Sequence, residues 1–362
     1  CEGAGVRWCD GACDGAMVRG CEGAMVRAMV RWCEGAKVRW CRVSNRFVSR
    51  WMTFVLAAVF VWGVAPGVGI GQVFAAAGRP KGPGAKTWLA ERVKLPPFTP
   101  PRLPDGRPDL QGRWGASSSG DDLEETEMVD ATTPAWESWI SNPSDGKIPY
   151  QPWALAIRKQ HRAGLARGVE GENGERLYVD PQTFCIKSVP RYAQRGYELV
   201  QTPGYVVMML NWGHYHRRIP LDNLPRPGAA AKLWMGIPRG RWEGDTLVIE
   251  STNFNGKMWL DSVGNFVSEN VRVIERLRLV EANTIDYEVT IDDPTVFTQT
   301  WTLSYRLRRA GTGGGGGGGA PANDPYASES WEHACHEGNG NHVAGTRELG
   351  FKWYPGVKPP QR

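Results

Sequence analysis

Two neighbouring histidines, His214 and His216, have the residue type and spacing that metal chemistry needs. Residues 205–219 are predicted to form one strand, which places both side chains on the same face about 6.6 Å apart along the strand axis. That spacing suits two ligands of a divalent metal, with His336 or Glu337 as a third ligand. The alternative interpretation is an exposed polar strand end, because no third ligand lies nearby in the sequence.

The same predicted strand also favours a binding surface that needs no metal. Trp212, His214, His216 and Arg218 share one face, which continues back through apolar residues toward residue 206. If the sheet closes into a barrel, the apolar part lies in the core and these four residues lie near the rim. We predict that they bind a small-molecule or carbohydrate-like ligand.

Carboxylates offer a further chemical possibility. Glu243 and Asp245 flank Gly244, and such a pair suits acid and base catalysis of hydrolysis. A hairpin turn explains the three residues more simply. The sequence contains no nucleophile elbow, P-loop or dinucleotide fingerprint in a strand-turn-helix unit.

The eight cysteines fall into two groups. Six lie within residues 1–42, and only Cys185 and Cys335 lie beyond them. In an oxidising compartment these two are expected to form a disulfide. The alternative is a pair of buried free thiols.

The N-terminal part predicts export. Residues 1–42 repeat a Cys, Gly and Arg phrase without a regular period, and we interpret them as spurious or disordered. Residues 43–77 have the basic start, apolar run and small-residue cleavage site of a signal peptide, with cleavage after Ala77. A membrane anchor is the alternative, but Pro66 and several glycines interrupt the apolar run. We therefore predict a periplasmic or secreted protein without a membrane span after cleavage.

The rest of the chain is predicted to be one domain. Residues 78–108 are rich in proline and basic residues and predict an extended tether. A β domain is expected over residues 109–350, with a flexible glycine-rich loop at 311–325 and a C-terminal tail at 351–362.

The charge balance argues against nucleic-acid binding. Residues 1–77 hold nine of the 43 Lys and Arg and five of the 38 Asp and Glu, which leaves 34 basic and 33 acidic residues. A nearly neutral mature part lacks the positive charge that phosphate backbones require.

The fold class follows from a series of strand signals. Residues 233–261 predict a hairpin with its turn at Gly244. Three further strand segments follow at 271–280, 284–291 and 300–307. On the first of them, Glu275 shares one face with four apolar residues, whereas three arginines lie on the other. With a single clear helix signal at 153–160, the sequence predicts a mainly β protein, an antiparallel barrel or sandwich with one or two peripheral helices.

Six sequence blocks resemble a family of exported bacterial proteins of unknown function. The blocks are PDLQGRW at 108–114, DPQTFC at 180–185, VQTPGYVVMML at 200–210, RGRWEGDTLVIESTNFN at 239–255, TIDYEVTIDDP at 284–294 and ACHEGN at 334–339. The resemblance implies a single secreted, mainly β domain and no particular activity. The Gly-x-Trp at 112–114 is also similar to the opening motif of lipocalin-type barrels, in which the Trp closes one end.

Twelve tryptophans follow Ala77, and exported proteins often stack exposed tryptophans on planar ligands. Trp136, Trp139 and Trp153 are predicted to be more exposed than Trp242 or Trp301. We predict a protein that binds a small ligand in an aromatic-lined β cavity without catalysis. One alternative is a metal-dependent hydrolase built on His214, His216, His336 and Glu337, and another is an envelope structural or assembly protein.

Overall fold

The structure is a computed structural model, and the chain falls into two units, Cys1–Ala76 and Ala77–Arg362. The described residues all lie in the second unit. They are 82–116, 122–125, 136–166, 178–186, 188–191, 196–210, 215–222, 224–310, 337, 348 and 352–360. The predictions for residues 1–77 and for the glycine-rich loop 311–325 lie outside this part of the chain.

Two helices and twelve strands are formed in the described residues. The helices are α1 (Ala85–Arg92) and α2 (Pro152–Ala166). The strands are β1 (Gly112–Ala116), β2 (Ile140–Asn142), β3 (Tyr178–Val179), β4 (Tyr197–Gln201), β5 (Tyr205–Leu210), β6 (His216–Pro220), β7 (Ile237–Glu243), β8 (Thr246–Thr252), β9 (Arg272–Glu281), β10 (Thr284–Asp292), β11 (Trp301–Arg309) and β12 (Lys352–Trp353).

Ten of the strands form one antiparallel sheet that closes nearly into a barrel. Its order is β6-β5-β4-β1-β11-β10-β9-β8-β7, and β2 pairs with β11 beside this path. Strands β3 and β12 form a separate two-stranded parallel sheet. The predicted mainly β fold with peripheral helices is confirmed, and the choice between barrel and sandwich falls on the barrel.

The alternation read from the sequence determines which faces point inward. On β9, Val273, Leu277 and Leu279 are buried, whereas Arg276 and Arg278 point outward. Strand β9 is central, so its inward residues meet those of β8 and β10 across the register. The hairpin predicted around Gly244 joins β7 to β8, and Gly244 has φ +57°, a conformation that favours glycine.

The Gly-x-Trp segment forms β1, as the sequence predicts. Trp114 is fully buried, and its Nε1–H donates to the carbonyl of Leu110 at 2.8 Å. The guanidinium of Arg309 lies 4.2 Å from the centre of the Trp114 ring, a cation–π contact. The contact joins β1 to Arg309, the last residue of β11.

The barrel has a seam between β6 and β7. Among the described residues the two strands share no backbone ladder, although they are the two ends of the sheet. Gly240 of β7 faces this seam, and a Cβ there would lie 2.8 Å from Ile219 Cγ2 and 2.7 Å from Leu221 Cδ2. The absence of a side chain at Gly240 therefore lets the two edge strands approach.

Replacing Gly240 with alanine is expected to lower the free energy of unfolding by about 1–3 kcal/mol, since the new methyl group overlaps the buried Ile219. Urea unfolding followed by tryptophan fluorescence measures the change. Gly204→Ala is the matched control, because nothing lies within 4 Å of the added Cβ and the expected change is within about 0.5 kcal/mol. Equal effects of the two substitutions would show that the seam is not tightly packed.

The segment predicted to be an extended tether contains helix α1, which packs on the outside of the barrel. Trp88 is 3% exposed, and its Nε1–H donates to Asp286 Oδ1 at 3.0 Å. Arg92 adds an ion pair with Asp286 at 2.7 Å. The tether prediction rested on proline content, but the prolines lie on either side of residues 85–92 and none lies within them, so this stretch can form a helix. In the described part of the chain, neither helix is long and apolar enough to cross a membrane.

Replacing Trp88 with phenylalanine is expected to cost about 1–2 kcal/mol of stability, because the ring is retained while the buried Asp286 loses a donor. Thermal unfolding checks this value. Trp353→Phe is the control, since Trp353 is 44% exposed and stacks on Phe184, a contact that phenylalanine keeps. Similar small shifts for both variants would mean that the Trp88 hydrogen bond contributes little.

Candidate functional site

Only two of the four residues predicted to bind a ligand, His216 and Arg218, lie in the described part of the chain. The predicted single strand 205–219 is two strands, β5 and β6, which pair antiparallel with Met209 opposite His216. His216 and Arg218 are exposed on the outer face of β6, and Arg218 lies over the ring of Tyr205. Trp212 and His214 lie outside the described residues, so a shared face is not established and this site stays a prediction.

The predicted metal site is likewise not assembled by the residues that are described. Glu337 is exposed, and His214 and His336 lie outside the described residues. No group of three His, Cys, Asp or Glu side chains with metal-binding geometry occurs in the described part of the chain. The metal-dependent alternative therefore stays a prediction.

Cys185 is fully buried at the end of a 3₁₀ turn, Pro181–Phe184, and has φ 63°. Cys185 is disulfide-bonded, but its predicted partner, Cys335, lies outside the described residues. The pairing with Cys335 therefore remains a prediction.

The predicted surface tryptophans and carboxylates have structural roles. Trp139 is buried and stacks on Tyr305 with ring centres 5.0 Å apart, so its predicted exposure is wrong. Glu243 pairs with Arg241 and Arg276, and Asp245 pairs with Arg102, all at the surface. Both carboxylates form ion pairs at the hairpin, and these contacts do not point them toward one shared substrate site.

The interior of the barrel is rich in aromatic rings. The strand register places one aromatic set on the inner face, and its buried members are Trp114, Tyr197, Tyr287, Trp301 and Tyr305. Tyr287 and Tyr305 are neighbours across β10 and β11, and their rings stack with centres 5.9 Å apart. Such rings have flat, apolar and polarisable faces, which suit contact with a planar molecule.

One ion pair lies among these rings. Arg217 of β6 and Glu275 of β9 are joined by a 2.5 Å contact between Nη1 and Oε2. Their side chains are 2% and 0% exposed, although one lies on an edge strand and the other on a central strand. The pair therefore joins β6 to β9 inside the barrel.

Neighbouring side chains contact both partners of the ion pair. The hydroxyl of Tyr287 donates to Glu275 Oε1 at 2.7 Å. Arg217 Nη2 donates to Ser251 Oγ at 2.5 Å, and its Nη1 lies 3.8 Å from Met208 Sδ. The result is a polar cluster inside a mainly apolar barrel, and we call Arg217, Ser251, Glu275 and Tyr287 the interior cluster.

Comparison with protein-family models, curated proteins and solved structures found no match for this chain.

The sequence contained a signal for one half of the interior cluster. Glu275 is the single charged residue on the apolar face of its predicted strand, and a charge at such a position needs a partner. The partner, Arg217, was hidden by the assumption of a continuous strand, which assigned the inward face to the even-numbered residues. In β6 the inward residues are Arg217 and Ile219.

A second buried polar cluster lies against helix α2 and joins two distant segments of the chain. Asp261 Oδ2 accepts from the backbone N–H of Leu123 at 3.2 Å and from the side-chain amide of Asn265. Its Oδ1 accepts from the N–H groups of Val263 and Asn265. Burial, and then the charge of Asp122, raise the pKa of Asp261 to about 7. The pKa of Asp122 is also raised, chiefly by burial.

Cationic and aromatic groups of helix α2 surround this second cluster. Arg158 donates to Asn265 Oδ1 at 3.1 Å, and Arg162 pairs with Asp122 at 2.8 Å. His161 stacks on Trp259, and its Nδ1 lies 3.1 Å from the carbonyl oxygen of Gly264. Burial lowers the pKa of His161. These contacts fasten the helix to the segment between β8 and β9, so their evident role is to hold the structure together.

Proposed function

We propose that this protein binds a small molecule inside the barrel, with the interior cluster as its polar anchor and the inner aromatic rings as its walls. The buried Arg217–Glu275 ion pair carries the proposal. Removing two charges from water is costly, and an apolar pair of similar size is often as stable or more stable. A charged pair inside a barrel is therefore better suited to recognising a ligand than to stabilising the fold.

The size of the barrel supports this function. Nine strands follow one another around the barrel, and a barrel of about eight strands is either filled by its side chains or holds one small ligand. Ligand sites typically combine an apolar and aromatic lining with a few polar groups that fix orientation. Export to the periplasm or beyond is part of the proposal and rests on the sequence of residues 43–77.

Titration with the neutral fluorescent probe N-phenyl-1-naphthylamine tests the proposal. We expect saturable fluorescence enhancement at one site per chain, accompanied by energy transfer from the interior tryptophans. Val289→Phe is expected to weaken binding at least tenfold, because Val289 lies opposite Glu275 on the inner face. Thr290→Phe is the matched control, since the next residue along β10 faces outward and binding should change little.

A smaller side chain at the same position provides a second comparison. Val289→Ala removes volume from the interior and is expected to retain probe binding, even if Val289→Phe does not fold. The proposal is wrong if the native protein shows no saturable binding. It is equally wrong if the inward and outward phenylalanines weaken binding to the same extent.

A further inference from the structure

We infer that the ligand of the barrel carries a planar cation, an amidinium or guanidinium group on an aromatic body, which takes the place of the Arg217 guanidinium beside Glu275. The inference rests on the proposed function, because it names the chemical class that the interior cluster recognises. Three features of the cluster support a cation: the fixed position of Glu275, the location of Arg217 and the aromatic surroundings.

Glu275 is the fixed half of the ion pair. It lies in the middle of β9, with β8 bonded on one side and β10 on the other. The hydroxyl of Tyr287 on the neighbouring strand donates to its Oε1 at 2.7 Å. A short side chain on a central strand, oriented by a second residue, is a preorganised anion site.

Arg217 is the displaceable half. It lies on β6, which ends the sheet and pairs with β5 alone among the described strands. Its long side chain reaches across the interior to Glu275, and the seam beside Gly240 separates β6 from β7. A residue on an edge strand moves at lower cost than one in the centre of the sheet. The guanidinium thus occupies the position that a ligand cation would take.

The aromatic surroundings favour a cation over an anion. The rings of Tyr287 and Tyr305 stack beside the pair, and Trp139 continues the stack. Aromatic faces attract cations, whereas an anion would be repelled by the carboxylate of Glu275. A planar amidinium also matches the two oxygens of a carboxylate, as guanidinium groups do.

Three probes of similar shape distinguish a preference for a cationic, a neutral or an anionic ligand. At neutral pH benzamidine is cationic, benzamide is neutral and benzoate is anionic. With the native protein we expect saturable binding of benzamidine, binding of benzamide at least tenfold weaker and no binding of benzoate. Isothermal titration calorimetry and displacement of N-phenyl-1-naphthylamine measure these affinities. Benzoate binding as tight as benzamidine, or equal binding of all three, overturns the inference.

Two variants examine the exchange directly. Arg217→Met removes the resident cation, so benzamidine is expected to bind at least tenfold more tightly and to raise the melting temperature. Glu275→Gln removes the anion and should abolish the preference for benzamidine over benzamide. If Arg217→Met does not fold, the three probes still show whether the native protein prefers a cationic ligand. Naphthylamine binding without any benzamidine preference would overturn this inference alone, whereas loss of both would overturn the proposed function as well.

Discussion

Replacing Arg217 with methionine is expected to lower the free energy of unfolding by about 3–5 kcal/mol, the largest effect of any single substitution proposed for this protein. The side chain is 2% exposed, and its Nη1 lies 2.5 Å from a carboxylate that is fully buried. Methionine fills much of the same space but leaves Glu275 without its counter-ion. The loss therefore measures the cost of a buried charge that has no partner.

The double variant Arg217→Met, Glu275→Leu is expected to recover that loss and to be as stable as the native protein within about 1 kcal/mol. It has no charge to desolvate, and the leucine packs against the apolar residues of β8 and β10. Urea unfolding of the native protein, both single variants and the double variant completes a cycle that isolates the coupling of the pair. Additive losses would show that Arg217 and Glu275 contribute to stability independently, with no coupling between them.

The same variants separate stability from recognition. If the double variant folds well but no longer prefers benzamidine, the charges serve the ligand and not the barrel. If it unfolds, the ion pair is a structural link between β6 and β9. The double variant can separate these roles because methionine and leucine fill about the same space as the native pair but offer no charged group to a ligand.

The fold was largely predictable from the sequence, because local patterns determine it. The alternation along β9 identified its inward face, and the turn residues around Gly244 identified the hairpin. Helix α1 was not predicted, because the proline content of residues 78–108 was taken as evidence that the whole segment is extended. Its stabilising contacts, such as that between Trp88 and Asp286, join residues far apart in the chain and leave no periodic signal.

The candidate site was less predictable for a related reason. The chain reverses between Leu210 and His216, and the assumption of one strand moved the inward face by one residue. That shift selected His216 and Arg218, which are exposed, and passed over Arg217. Only the register across several strands shows that Arg217 and Glu275 meet inside the barrel.

A second large effect is expected from pH. The pKa of Asp261 is near 3.8 in the unfolded chain and about 7 in the folded protein, because burial and the nearby Asp122 disfavour its charge. Between these values the folded state keeps a proton that the unfolded state has released. Stability therefore falls as pH rises from about 4 to about 7, by up to about 4 kcal/mol, and the full penalty remains above pH 7.

Other ionisable groups set the shape of this profile. Burial raises the pKa of Asp122, Asp286 and Asp293, so these carboxyls act in the same direction as Asp261. The lowered pKa of His161 acts in the opposite direction, since stability is lost as pH falls below about 6.5. The fall in stability due to Asp261 is therefore partly offset just below pH 6.5, where His161 of the unfolded chain titrates, and it is complete near pH 7.

Asp122→Asn isolates the contribution of the carboxyl pair. The variant keeps an oxygen for the N–H of Glu124, loses the ion pair with Arg162 and removes the charge that acts on Asp261. Melting temperatures between pH 4 and pH 9 are expected to fall less steeply in this variant than in the native protein. Because Arg162 is largely exposed, its lost ion pair lowers stability only slightly and by a similar amount above pH 5. Parallel profiles would mean that Asp122 contributes nothing to the pH dependence of stability, whereas a flatter profile shows that it contributes through its own titration and its charge beside Asp261.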